Sequence, residues 1–89
     1  MIIEGLEFKC TCHGCPEQYD VFDGDKQVGY VRLRHGGLRC DYPNWEDGET
    51  IFSESFDDGW KGNFDDDNER NKYLILIAKA IKEKMNEKS

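Results

Sequence analysis

The feature of this sequence that most limits its fold is a single change in the spacing of its apolar residues. Upstream of residue 56, apolar and polar residues alternate, as around Phe8 and Leu33, which is the period of a β-strand. From Asp66 onward the period is close to 3.6, which is that of a helix. There is no repeated strand-helix-strand pattern. We therefore predict an α+β fold: an antiparallel sheet of four to five strands, arranged as a meander of β-hairpins, followed by one C-terminal helix packed on one face.

The helix is marked by its start and by its apolar stripe. Asp66 is the predicted N-cap, Glu69 follows three residues later, and neither Gly nor Pro occurs beyond them. The predicted stripe consists of Leu74, Ile77, Ala78, Ile81 and Met85. Tyr73, Ile75 and Leu76 are expected to widen this stripe in the first turns, so the helix should pack deeply at its beginning.

A glycine pair predicts the register of one hairpin. Gly36 and Gly37 form the expected two-residue loop, which places Arg34 opposite Arg39. One side of this hairpin carries Val31, Leu33, His35, Leu38, Cys40 and Tyr42, and the other carries Arg32, Arg34, Arg39 and Asp41. We expect the helix to cover the first side and the arginines to face water.

The preceding turn, at residues 23–26, leads to a second expectation about the two faces. An even number of residues in this turn places four apolar side chains on the arginine side of the sheet. These are Tyr19, Val21, Val28 and Tyr30. The arginine side is therefore expected to be apolar at one end and basic at the other.

Length and composition limit the class of protein. The 89 residues predict one domain, residues 1–89, and a domain of this size buries only about 60% of its unfolded surface, so a metal or cross-link would contribute much to its stability. The start of the chain has no signal-peptide pattern, and the longest apolar run, residues 73–78, is far shorter than a membrane span. We therefore expect a cytoplasmic protein without membrane contact, whose four cysteines stay reduced.

Three of those cysteines lie in the segment KCTCHGC, residues 9–15. Cys12 and Cys15 have the two-residue spacing that lets two thiolates bind one tetrahedral zinc ion, and Cys10 can add a third ligand. The fourth ligand is left open among Cys40, His35 and His13. A second ligand pair is missing, so the alternative is that these are ordinary thiols, with Cys40 buried in the sheet. Zinc is thus a possible cofactor, and no other cofactor is predicted.

Enzymatic function has little support in the sequence. A thiol-redox role for Cys12 and Cys15 requires a helix directly after the pair, but a proline and a strand-like segment follow. His13 lies next to Cys12, and neighbouring residues of a strand point to opposite faces, which makes them poor catalytic partners. No phosphate-binding glycine loop or nucleophile motif is present. We therefore predict no catalytic residues, and a small thiol oxidoreductase remains a third hypothesis.

Charge is distributed unevenly and indicates where a ligand would bind. The net charge is -7, yet residues 26–40 contain four bases and no acid, whereas residues 41–69 contain eleven acids and one base. The overall negative charge argues against general nucleic-acid binding. Arg32, Arg34 and Arg39 are candidate ligand-binding residues, because guanidinium groups fork onto carboxylates and phosphates. The alternative is that the neighbouring acids neutralise them within the molecule.

Two tryptophans in the acidic, loop-rich stretch are the candidate partner-binding residues. Trp45 and Trp60 are suited to anchor a protein partner if they are exposed, although tryptophans of small domains more often complete the core. The leading hypothesis is therefore a small non-enzymatic interaction module that contacts a protein partner. The alternative is a structural zinc-binding domain, and a twofold homodimer through the arginine face is also possible.

Overall fold

The computed structural model describes residues 1–12, 17–44, 46, 48–57, 59, 62 and 64–88. These residues form one six-stranded antiparallel sheet and one helix. The strands are β1 (Ile2–Ile3), β2 (Leu6–Cys12), β3 (Glu17–Asp23), β4 (Lys26–Arg34), β5 (Gly37–Tyr42) and β6 (Glu49–Ser55), and the helix is α1 (Asp67–Lys88). The predicted α+β class is confirmed.

The number of strands is a correction to the predicted four to five. The chain turns at Glu4 and Gly5, both of which have positive φ angles, so β1 pairs with β2 as a short hairpin. Ile2, Leu6 and Phe8 are separated by even numbers of positions, which suggested a single strand through this turn. The strands follow one another in chain order across the sheet, as the predicted meander requires.

Helix α1 packs on one face of the sheet and contacts β1, β5 and β6. Gly29 on β4 permits a close approach, because a Cβ atom at this position would lie 2.8 Å from Cδ1 of Ile81. The core between the two layers includes Leu6, Phe8, Val21, Val28, Val31, Leu33, Leu38, Cys40, Leu74, Ile77, Ala78 and Ile81. No helix among the described residues has the length and apolar character needed to cross a membrane.

The predicted start of α1 is confirmed, and its predicted width is confirmed only for Tyr73, which packs against the core. The Glu69 amide donates to Asp66 Oδ1 at 2.8 Å, and Glu69 Oε1 accepts from the Asp65 amide at 2.9 Å. Ile75 and Leu76 are 38% and 43% exposed, although both were expected to widen the apolar stripe. A helix that lies on one sheet buries only a narrow stripe, and residues between the stripe positions remain at the surface.

The β4–β5 hairpin turns one residue earlier than predicted. Its loop is His35–Gly36, both with positive φ, and Arg34 pairs with Gly37. Arg32 therefore lies opposite Arg39. The new register differs from the predicted one by two residues along β5, and an even shift leaves every side chain on its original face. The predicted apolar and arginine sides are thus confirmed for the strand residues, whereas His35, predicted on the apolar side, is an exposed residue of the loop.

The predicted position of Tyr19 and Val21 on the arginine side is wrong. The register of β3 and β4 shifts within the hairpin, so Val21 pairs with Gly29 and Tyr19 pairs with Val31. Val28 is the additional residue of this β-bulge, and one additional residue exchanges the two faces. Tyr19, Val21 and Val28 consequently belong to the core, and Tyr30 is the one of the four that shares the face of Arg32.

Candidate binding face

The three predicted ligand-binding arginines lie together on the sheet face opposite α1. Arg32 on β4 pairs directly with Arg39 on β5, and Arg34 follows two residues after Arg32 on the same face. We call the surface formed by Arg32, Arg34 and Arg39 the arginine face. Its residues line an open cavity of about 320 Å³ together with Ser53 and Ser55 of the neighbouring strand β6.

Only part of the arginine face is neutralised within the described chain. Arg39 Nε lies 3.4 Å from Asp41 Oδ2, and this carboxylate also accepts a hydrogen bond from Thr50 Oγ1 at 2.7 Å. Among the described residues, no carboxylate oxygen lies within 4.0 Å of a nitrogen of Arg32 or Arg34. Among the described residues, intramolecular neutralisation by the acidic segment therefore reaches Arg39 and not these two residues.

The positions of Arg32 and Arg39 make an anion favourable between them. Residues that pair directly across antiparallel strands have Cβ atoms about 5 Å apart, and like charges at such positions destabilise the sheet. An anion bound by both guanidinium groups offsets this repulsion and forms charge-assisted hydrogen bonds, which are stronger than neutral ones. The arginine face is therefore a candidate anion-binding surface.

The structure does not bring the predicted metal ligands Cys10 and Cys40 together. Cys10 pairs with Tyr19, Tyr19 pairs with Val31, and Val31 pairs with Cys40. Three strand spacings thus separate the two cysteines, which is about 14 Å. Zinc requires each sulfur at about 2.3 Å from the ion, so Cys10 and Cys40 do not share one.

Cys40 has the properties of a core thiol. It is completely buried, and this burial, assisted by the charge of neighbouring Asp41, raises the pKa of the thiol to about 12. The thiol is therefore protonated at neutral pH, which is unfavourable for metal binding, because metals bind the thiolate. Its predicted alternative role as an ordinary buried thiol agrees with this position.

The remaining predicted site residues lie wholly or partly outside the described residues. Cys12 ends β2, where its backbone pairs with Gln18, and Cys15 is outside the described ranges. Trp45 and Trp60 are outside them as well. No group of three histidine, cysteine or acidic residues suited to a metal ion occurs within the described part of the chain. Zinc binding by the first cysteine segment and partner binding by the tryptophans stay predictions.

A buried ion pair that the sequence reasoning missed lies on the helix-covered side. The side chain of Glu17, at the start of β3, is only 7% exposed. Its Oε2 accepts hydrogen bonds from Arg70 Nε at 2.7 Å and from the Tyr19 hydroxyl. Its Oε1 accepts from Arg70 Nη2 and from the Phe64 amide, both at 3.3 Å. This cluster joins β3 to the first turn of α1 and to the segment that precedes it.

The protonation states of this cluster follow from its contacts. Burial alone would raise the pKa of Glu17, but the hydrogen bonds from Arg70, Tyr19 and the Phe64 amide outweigh burial and hold that pKa below its ordinary value. Burial and the hydrogen bond to Glu17 both raise the pKa of Tyr19. Glu17 is therefore ionised and Tyr19 protonated at neutral pH. One signal for the cluster was present in the sequence, because Glu17 shares its strand face with Tyr19 and Val21.

Comparison of the chain with protein-family models, with curated proteins and with solved structures found no match. The arginine face and the buried cluster are therefore the features of the described residues from which a function can be inferred.

Proposed function

We propose that this protein is a non-enzymatic binding module that contacts an acidic segment of a partner protein through its arginine face. The observation that carries this proposal is the pair Arg32 and Arg34, which lie on an open sheet face with no carboxylate of the described residues at ion-pair distance. A partner can therefore bind Arg32 and Arg34 without first breaking an ion pair between them and a described carboxylate.

The spacing of the arginines supports an extended protein segment as the ligand. Arg32 and Arg34 are two residues apart on β4, which corresponds to about 6.6 Å along the strand. An extended peptide with acids at alternate positions repeats its carboxylates at the same distance. Such a segment can therefore place one carboxylate on each guanidinium group, whereas the net charge of -7 repels a long polyanion such as a nucleic acid.

The proposed compartment is the cytoplasm, and two observations support it. Cys40 is a thiol in the core, in agreement with a reducing environment. An acidic partner segment is also common among intracellular interaction motifs that basic surfaces recognise.

The test compares two double variants that remove the same charge. The probe is a fluorescein-labelled peptide with glutamate at alternate positions and serine between them, and binding is measured by fluorescence anisotropy. We expect R32Q/R34Q to weaken binding at least tenfold, because two charge-assisted hydrogen bonds are lost. The control K79Q/K82Q changes two exposed lysines of α1 and should alter the affinity less than twofold. Equal weakening by both variants would refute the arginine face as the site.

A second copy of the chain is the competing occupant of the arginine face. Its acidic residues 41–69 have the required charge. Analytical ultracentrifugation of the wild-type protein at low ionic strength distinguishes the two cases. The proposal expects a monomer, and a dimer that R32Q/R34Q dissociates would replace the partner protein by the protein itself.

A further inference from the structure

The cavity of the arginine face combines three guanidinium groups with two hydroxyl groups. Arg32, Arg39 and Ser53 occupy one row across β4, β5 and β6, since Arg32 pairs with Arg39 and Arg39 pairs with Ser53. Ser53 is exposed, and its position in this row makes its hydroxyl a further possible donor for an anion. All three residues line the cavity of about 320 Å³.

The neighbouring row explains why a cavity is present at this place. Arg34 pairs with Gly37, and Gly37 pairs with Ser55. Gly37 lies on the same face as Arg39, and it has no side chain between Arg34 and Ser55. A Cβ atom at Gly37 would meet only the Arg34 carbonyl oxygen, at the ordinary contact distance of 3.5 Å. The glycine is thus not needed to avoid a clash with the protein, and its effect is to leave the space open.

The charge of the site fits a doubly charged group better than a carboxylate. Arg32 and Arg34 contribute two positive charges that no carboxylate within the described ranges compensates at ion-pair distance. A phosphate monoester carries a charge of about -1.5 to -2 at pH 7 and offers three acceptor oxygens, whereas one carboxylate carries -1 and offers two.

We propose that the arginine face binds a phosphoryl group carried by a phosphorylated serine or threonine of the partner protein. The oxygens of this group accept hydrogen bonds from Arg32 and Arg39, which face each other, and from Arg34 and the serine hydroxyls around it. This inference rests on the proposed function, because it names the chemical group that the same surface recognises.

The experiment compares three labelled peptides that differ at one central residue. Acetyl-Glu-Gly-X-Gly-Glu-amide is prepared with X as phosphoserine, glutamate or serine, and each Kd is measured by fluorescence anisotropy at low ionic strength. We expect the phosphoserine peptide to bind at least tenfold more tightly than the glutamate peptide. In R32Q this preference should fall below threefold, and in the matched charge control K79Q it should be unchanged.

A second variant tests the cavity without removing a charge. Gly37→Val fills the space between Arg34 and Ser55 with a residue that suits a β-strand. We expect it to weaken binding of the phosphoserine peptide at least tenfold and to remove its preference over the glutamate peptide. Urea denaturation of each variant verifies that the fold is retained.

The outcomes separate this inference from the proposed function. Equal affinity of the wild-type protein for the phosphoserine and glutamate peptides would overturn the phosphate inference and leave an acidic-segment module. Failure of all three peptides to bind would overturn both. Tighter binding of single-stranded DNA, or of vesicles that contain phosphatidylserine, than of the phosphoserine peptide would overturn a phosphorylated protein as the ligand.

Discussion

The two faces of the sheet use arginine in opposite ways. On the helix-covered face, Arg70 donates hydrogen bonds to Glu17 and forms a further ion pair with Asp67. On the opposite face, Arg32 and Arg34 have no such carboxylate partner among the described residues. Arg70 therefore has an intramolecular role, which is to pair with Glu17 and Asp67. The ion pairs of the described residues give no such role to Arg32 and Arg34.

This difference follows from the burial of Glu17, because a buried carboxylate requires a cationic partner whereas an exposed cation does not require an acid. The acidic segment of residues 41–69 has many carboxylates, yet within the described ranges they leave Arg32 and Arg34 without a partner. Exposed ion pairs contribute little to stability and are easily left unformed. A buried carboxylate such as Glu17 is costly without a partner, so the fold provides one.

The largest effect should come from removing the cation of the buried pair. Arg70→Met keeps the length of the side chain and leaves the Glu17 carboxylate without its charged donor. We expect the free energy of unfolding to fall by about 3 kcal/mol, since breaking a buried pair from one side leaves an uncompensated charge. Urea denaturation followed by tryptophan fluorescence measures this loss.

The matched comparison for Arg70→Met is Arg34→Met on the arginine face. Arg34 is exposed, and the same substitution there should change the free energy of unfolding by less than about 0.5 kcal/mol. Similar losses in the two variants would show that the two faces do not differ as described.

A smaller effect should appear in the pH dependence of stability. The pKa of Glu17 is lower in the folded state than its ordinary value of 4.5, so the folded protein binds this proton less readily than the unfolded chain does. The stabilisation is present above about pH 4.5 and is lost as the pH falls through the folded pKa. Each unit of lowering corresponds to about 1.4 kcal/mol.

The comparison that isolates this contribution is wild type against Glu17→Gln. The difference in their free energies of unfolding should be largest between pH 6 and 7 and should shrink as the pH approaches 3. Chemical denaturation at several pH values provides the measurement. A difference that stays constant over this range would mean that Glu17 is not the titrating group.

The smallest effect should have the opposite sign. Arg32→Gln removes the repulsion between Arg32 and Arg39, and we expect it to raise the free energy of unfolding by up to about 0.5 kcal/mol at low ionic strength. The gain should disappear in about 0.5 M salt, because exposed charges are then screened. Lys79→Gln should produce no gain. A loss of more than about 1 kcal/mol in Arg32→Gln would indicate an intramolecular partner for Arg32.

The hairpin shows how far the sequence could predict the fold. The alternation around Val31 and Leu33 predicted which side of β4 lies in the core, and this held even though the turn begins at His35. An alternating pattern specifies faces and not the exact pairing, so an even error in register has no effect on it. The bulge at Val28 could not be predicted in this way, because an additional residue leaves no mark in the composition of a strand.

The candidate site was predicted only in part, for a related reason. Arg32, Arg34 and Arg39 are close in sequence and belong to one hairpin, so their proximity follows from local pairing. Glu17 and Arg70 are 53 positions apart, and they meet only because α1 folds back across the sheet. Contacts at such distance depend on the packing of whole elements, which no local pattern of residues specifies.

The bulge at Val28 also determines which face of the sheet Tyr19 and Val21 occupy. A continuous register from the same turn would pair Tyr19 with Tyr30 and turn Tyr19 and Val21 to the arginine side, and the unpaired Val28 prevents this. Deleting Val28 alone would leave Phe22 paired with Gln27 and Val21 paired with Gly29, so the bulge would disappear while Tyr19 and Val21 kept their places in the core. For this fold, the parity of a hairpin is as decisive as the chemistry of its side chains.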